Sequence, residues 1–110
     1  MSEDRSNALR LIEGIENSTL STNDTVDLIE KTDPVLVYLV ITWLRKRYAD
    51  HVNADTVVGR LVEITRSPAV AARMKEGQAD SMVEWFEDAY SYRKLEAKEL
   101  VETVVDKLES

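Results

Sequence analysis

The chain has 110 residues, of which 44% are hydrophobic and 32% are charged, and it contains no cysteine. This length predicts one globular domain, and the absence of cysteine excludes disulfides, thiolate metal sites and thiol chemistry. The formal net charge of −7 argues against wholesale binding to nucleic acid or to anionic membranes.

The N-terminal third predicts two short amphipathic helices. Residues 1–5 are expected to be disordered, and Ser6 is a candidate N-cap for a helix over 7–16. The polar run 17–23 predicts a loop, after which a second helix is expected over 24–31. The first residues are polar and acidic, without the apolar stretch of a secretory signal, so we expect a cytoplasmic protein.

The stretch from Asp33 to Tyr48 is the long apolar run of the sequence. Its branched residues are compatible with a buried strand. However, Asp33-Pro34 is typical of a helix start, and the basic residues 45–47 suit a helix C-terminus. No second convincing strand is present in the sequence to pair with it. We therefore predict a central helix over about 34–48.

This central helix is apolar on nearly every side when it is drawn at about 100° per residue. Only Tyr38, Thr42 and Arg45 form a polar strip, with the spacing i, i+4, i+7. A helix of this kind must be covered on most sides, which predicts a position at the centre of a bundle. The ten residues from Val35 to Leu44 are too few for a membrane span, which needs about 20.

The middle of the chain predicts two more helices. A short connection over 49–52, with Asn53 as N-cap, leads into a helix over 54–66 that is expected to pack against the central helix as a hairpin. Ser67-Pro68 then opens an alanine-rich helix that is expected to stop at Gly77, a good C′ residue. The apolar arc of the helix over 54–66 consists of Val57, Val58, Leu61, Val62 and Ile64.

The C-terminal part predicts a pair of amphipathic helices. Ser81 and Glu84 have the spacing of a capping box, and the helix they open is expected to continue to about Tyr92. The last helix is predicted over 97–109, with Leu95 before it as part of a hydrophobic staple. The whole sequence therefore predicts an all-α fold over 1–110, a single-domain bundle of six or seven short helices around the central apolar helix.

Catalytic signals are weak. His51 is the single histidine, and the three glycines are isolated, so no phosphate-cradling loop is present. Acidic residues spaced three apart, such as Glu13/Glu16 and Glu84/Glu87, could hold Mg²⁺ if two pairs converged. With 21 acidic residues in the chain, such spacings also arise by chance. No metal site and no cofactor is predicted.

The charges are unevenly distributed along the chain. Residues 33–76 contain five acids and seven bases, whereas residues 77–110 contain nine acids and four bases. The bases either neutralise helix ends or converge to bind a phosphate or an acidic segment, because arginine binds such groups bidentately. The candidates for anion binding are Arg45, Lys46, Arg47, Arg60, Arg66 and Arg73.

The aromatic residues near the C-terminus give the strongest binding hypothesis. On a continuous helix, Trp85 and Tyr92 lie at one edge of the apolar arc, beside the acidic residues Glu84 and Asp88. Aromatic residues at such an edge are typical of interfaces, so these four residues are predicted to bind a partner, and a homodimer is expected. The acidic C-terminal part of one copy could then meet the basic centre of another.

Three function hypotheses follow, in order of preference. The first is a small non-catalytic helical interaction or adaptor protein that self-associates or binds one protein partner. The second is an accessory protein that binds an anionic ligand or nucleic acid through its basic centre. The third is a Mg²⁺-dependent hydrolase of phosphate esters that uses paired carboxylates.

Overall fold

The computed structural model describes residues 2–49 and 54–110. These residues form seven α-helices and one 3₁₀ turn, and no strand occurs within the described ranges, so the predicted all-α bundle is confirmed. The helices are α1 (Ser2–Asn17), α2 (Thr22–Glu30), α3 (Pro34–Tyr48), α4 (Ala54–Thr65), α5 (Pro68–Gln78), α6 (Ser81–Ala89) and α7 (Ala97–Glu109). The 3₁₀ turn, Tyr92–Lys94, lies between α6 and α7.

Helix α3 is the centre of the bundle, as predicted. Asp33 caps it by accepting a hydrogen bond from the N–H of Val35 at 2.9 Å, and Pro34 occupies its first turn. The helix packs against α1, α4, α5, α6, α7 and the 3₁₀ turn, and its aliphatic side chains are buried. Tyr38 and Thr42 are half-buried and Arg45 is exposed, so the predicted polar strip is an open side of α3.

The principal neighbour of α3 is α5. Helix α4 does contact α3, but it also packs against α1, α2 and α5, and the contact between α3 and α5 is more extensive. Gly77 is buried inside α5 and does not end it, since the helix continues to Gln78. The prediction of Gly77 as a C′ residue was therefore wrong.

The first helix begins earlier than predicted. Helix α1 starts at Ser2, so neither the disorder expected for residues 2–5 nor the N-cap at Ser6 is present. The Asp4 carboxylate accepts a hydrogen bond from the N–H of Asp33 at 3.2 Å, which ties the first turn of α1 to the start of α3. Residues 50–53, with the predicted connection, His51 and the Asn53 cap, lie outside the described residues.

The buried side chains belong to one hydrophobic cluster. Trp43 is fully buried in it, and its indole N–H donates a hydrogen bond to the carbonyl oxygen of Leu95 at 3.0 Å. This bond holds the segment before α7 against α3. In α4, Val57, Leu61 and Ile64 face the cluster, whereas Val62, predicted on the same arc, is 47% exposed.

Candidate interaction surface

The polar strip of α3 is the floor of a groove. Tyr38, Thr42 and Arg45 share one face because residues four and three apart are neighbours on a helix. Helix α5 borders one side of this strip, and α6 with the following 3₁₀ turn borders the other. Other helices therefore cover α3 on most of its sides and leave it accessible along this strip.

One part of the groove is basic. It is a hollow of about 630 Å³ between α3 and α5, and we call it the basic hollow. Its cations are Arg45, Lys46 and Lys75, and none of the described residues that line it is acidic. Its other lining residues are Tyr38, Thr42, Thr65, Ala71, Met74 and Gln78.

The adjoining part is acidic. It is a hollow of about 470 Å³ between the start of α3 and α6, and we call it the acidic hollow. Its carboxylates are Asp80, Glu84, Glu87 and Asp88, and the lining residues that the structure describes include no base. Tyr38 and Gln78 line both hollows, so the two meet at these residues. We call the two hollows together the bipolar groove.

Helix α6 starts and ends differently from the prediction. Its N-cap is Asp80, whose carboxylate accepts a hydrogen bond from the N–H of Met82 at 2.8 Å, so Ser81 is the first helical residue. The predicted capping box of Ser81 and Glu84 is therefore not formed. The helix ends at Ala89, and Tyr90 already has extended backbone angles. Glu84 still projects into the acidic hollow with Asp88.

Trp85 lies on the exposed ridge of α6. It is 39% exposed. Residues three apart are neighbours on a helix surface, so Trp85 lies beside Asp88 and hence beside the acidic hollow. The ammonium of Lys107 lies 4.9 Å from the centre of its ring, and Tyr90 contacts it edge to face at 5.9 Å. These contacts hold the indole in place while leaving part of it accessible.

Tyr92 does not share an edge with Trp85, because the helix has ended before it. It is only 6% exposed, and its ring packs edge to face against Phe86 at 5.8 Å. The ammonium of Lys46 lies 4.4 Å above the ring. The hydroxyl is buried and has no hydrogen-bond partner in the described part of the chain. Burial raises the pKa of Tyr92, and the nearby Glu87 raises it further.

Two of the arginines proposed for anion binding cap other helices instead. Arg60 donates to the carbonyl oxygen of Ile15, at the end of α1. Arg73 donates to the carbonyl oxygens of Glu30 at 3.0 Å and Thr32 at 2.8 Å, just past the end of α2. The last carbonyls of a helix have no partner within it, so each arginine satisfies groups that folding would otherwise leave unpaired.

The remaining basic residues are only partly brought together. Arg45 and Lys46 meet Lys75 in the basic hollow, whereas Arg47 lies over the ring of Trp43 at 5.1 Å. Arg66 is exposed just after α4. The predicted site residues included neither Lys75, Tyr38 nor Gln78, and the polar strip of α3 was the available signal for Tyr38.

Within the described residues the carboxylate pairs do not form a metal site, although Glu84 and Glu87 line the acidic hollow with Asp80 and Asp88. Glu16 accepts a hydrogen bond from the hydroxyl of Tyr48, and Asp24 and Asp27 line a separate hollow of about 360 Å³ with Arg10 and Lys31. Among the residues that the structure describes, no three acidic or histidine side chains are grouped as a metal site would require.

Comparison with known proteins finds no matching family model, no matching curated protein and no matching solved structure. None of the described helices combines the length and the apolar character needed to cross a membrane.

Proposed function

We propose that this chain is a small non-catalytic helical protein that acts by binding another protein chain, and that the bipolar groove is its contact surface. The observation that carries the proposal is the open strip of α3. The helix at the centre of the bundle is buried on its other sides but leaves Tyr38 and Thr42 accessible between α5 and α6. A second chain placed there would complete the cover of the central helix.

The composition of the groove supports this proposal. Tyr38 and Met74 line it, Arg45 lies at its basic part, and Trp85 lies on the adjoining ridge. Aromatic residues, methionine and arginine are enriched at protein interfaces relative to the rest of a protein surface. Glu84 and Asp88 remain partner-binding residues in the proposal, with Trp85 at the rim. Tyr92 is buried and would act indirectly, as the support beneath Lys46. A cytoplasmic location remains a prediction of the sequence.

Site-specific photocrosslinking in the native host tests this proposal. A photoreactive benzoylphenylalanine placed at Thr42, on the groove floor, should form a discrete covalent product with a protein chain. The matched control places the same residue at Glu13, which is exposed on α1, a helix that contributes nothing to the groove. A product at Thr42 and none at Glu13 supports the proposal. Equal labelling at both positions, or none at Thr42, contradicts it.

The basic hollow also favours a second candidate function, the binding of an anionic ligand. Arg45, Lys46 and Lys75 face one space, and the other described residues that line it are uncharged. Titration with inorganic triphosphate tests this candidate: binding that is lost in an Arg45→Ala/Lys75→Ala variant and falls steeply with salt would support it. Absence of binding at low salt would contradict it. We rank it second because Arg60 and Arg73 act as helix caps and four carboxylates adjoin the hollow.

A further inference from the structure

The opposite charges of the two hollows make the groove complementary to the same groove on a second copy of the chain. The basic hollow presents three cations and the acidic hollow four carboxylates, and they meet at Tyr38 and Gln78. A two-fold rotation through that meeting point exchanges the basic hollow and the acidic hollow. Two copies placed face to face in this way would set each basic hollow against an acidic hollow, and each contact would occur twice.

We propose that the partner in the groove is a second copy of this chain, related by a two-fold axis close to Tyr38 and Gln78. This inference rests on the proposed function and names its partner. In the dimer, Arg45 and Lys75 of one copy face Glu84 and Asp88 of the other. Tyr38 lies on the groove floor closest to the axis, at the centre of the interface, where aromatic residues contribute most to binding.

The net charge of the chain does not oppose this arrangement. Each copy carries −7 overall, but charges further apart than a screening length of about 8 Å interact weakly at physiological salt. The hollows bring opposite charges much closer than that. Opposite potentials in contact fix the register of two surfaces, and a parallel arrangement would set carboxylates against carboxylates. The dimer should therefore weaken as salt is added.

A charge exchange tests this inference. One variant, Arg45→Glu/Lys75→Glu, places carboxylates on both sides of each proposed ion pair, and a second, Glu84→Lys/Asp88→Lys, places cations on both sides. All four side chains are exposed, so both variants should fold, which circular dichroism and thermal unfolding would verify. In sedimentation velocity at submillimolar concentration, the wild type should be a dimer, and it should dissociate on dilution to micromolar concentration. Each variant alone should associate at least about tenfold more weakly, and an equimolar mixture should restore the dimer.

The control variant is Glu13→Lys/Glu99→Lys, which changes the net charge as much as Glu84→Lys/Asp88→Lys but at exposed positions outside the groove. It should dimerise like the wild type. If a double variant fails to fold, the single variants Arg45→Glu and Asp88→Lys replace the pair, with the same expectation for their mixture.

Three results would overturn the inference: a monomeric wild type, variants that each dimerise as the wild type does, or a mixture that stays monomeric. These results are distinguishable from a failure of the proposed function. A crosslinked product at Thr42 whose mass differs from two copies of this 12.5 kDa chain would support an interaction protein and exclude a second copy as the partner. A product of two copies would support both.

Discussion

Gly77 of α5 packs directly on Pro34, the first residue of α3. A Cβ atom added at Gly77 would overlap the carbonyl oxygen of Pro34 and lie 3.0 Å from the Cβ of Tyr38. Because the neighbouring atom belongs to the backbone, a side-chain rotation cannot relieve the overlap. This contact sets the separation of the two helices next to Gln78, where the two hollows of the groove meet.

Gly77→Ala should therefore destabilise the fold, although alanine is the better helix former. We expect a loss of about 3 kcal/mol in the free energy of unfolding, the upper end of the usual cost of overpacking. Gly59→Ala is the matched control, because nothing lies within 4 Å of the position of its Cβ. That variant should gain up to about 1 kcal/mol from helix propensity. Urea unfolding measures both, and a stable Gly77→Ala variant would contradict the close approach.

Leu39→Ala tests whether α3 is the centre of the bundle. Leu39 is completely buried, so its truncation should cost roughly 2–5 kcal/mol in the free energy of unfolding. Val62→Ala is the control, since Val62 is 47% exposed and a change there should stay within about 0.5 kcal/mol. A loss below about 1 kcal/mol at Leu39 would mean that α3 is not a core helix.

Arg73→Met tests whether Arg73 stabilises the fold by capping the end of α2. The variant removes the hydrogen bonds to the carbonyl oxygens of Glu30 and Thr32, which should cost about 1–2 kcal/mol of stability. Arg66→Met, at an exposed position, should change stability by less than about 0.5 kcal/mol. Chemical denaturation compares the two variants. Equal stability of both would show that the Arg73 contacts do not stabilise the fold.

Tyr92→Phe should stabilise the protein. The Tyr92 hydroxyl is buried without a partner among the described residues, and such a group costs about 1–3 kcal/mol. Phenylalanine keeps the ring against Phe86 and beneath Lys46. Thermal unfolding should show a raised midpoint. A lowered midpoint would show that the hydroxyl has a hydrogen-bond partner, for which an ordered water is the simplest candidate.

The same hydroxyl predicts a loss of stability at alkaline pH. Burial raises the pKa of Tyr92 in the folded chain above its ordinary value of about 10, so folding favours the neutral phenol. This contribution is complete below about pH 10 and is lost as the pH rises towards the folded-state pKa. Burial and the hydrogen bond to Glu16 also raise the pKa of Tyr48. Tyr92→Phe should therefore lose less stability above about pH 10 than the wild type does, as measured by urea unfolding across the pH series.

The helices were predictable where local chemistry determines them. Asp33 and Pro34 start α3 through their own cap and ring geometry, and the apolar pattern from Val35 to Leu44 indicates burial on most sides. The open side of the groove was visible as the strip of Tyr38, Thr42 and Arg45. These features depend on residues within one or two turns of each other, which a sequence displays directly.

Features that depend on distant residues were not predictable. Helix α6 ends at Ala89 because Tyr90 stacks on Phe86 at 4.8 Å and Tyr92 turns towards the core, and no glycine or proline marks this point. Helix α1 begins at Ser2. Its first turn contains Asp4, whose carboxylate accepts a hydrogen bond from the N–H of Asp33, 29 positions further along the chain. The basic and acidic hollows likewise adjoin only because α5 and α6 border the same face of α3.

The open side of α3 is proposed as the contact surface between two copies of this chain. Amide NMR spectra of the wild type, recorded on dilution from millimolar to micromolar concentration, test it most directly. The resonances that shift should belong to residues 38–46 of α3, 71–78 of α5 and 80–88 of α6, with the rest of the bundle unchanged. Shifts confined to α1, α2 or α4, or spectra that do not change on dilution, would contradict the account.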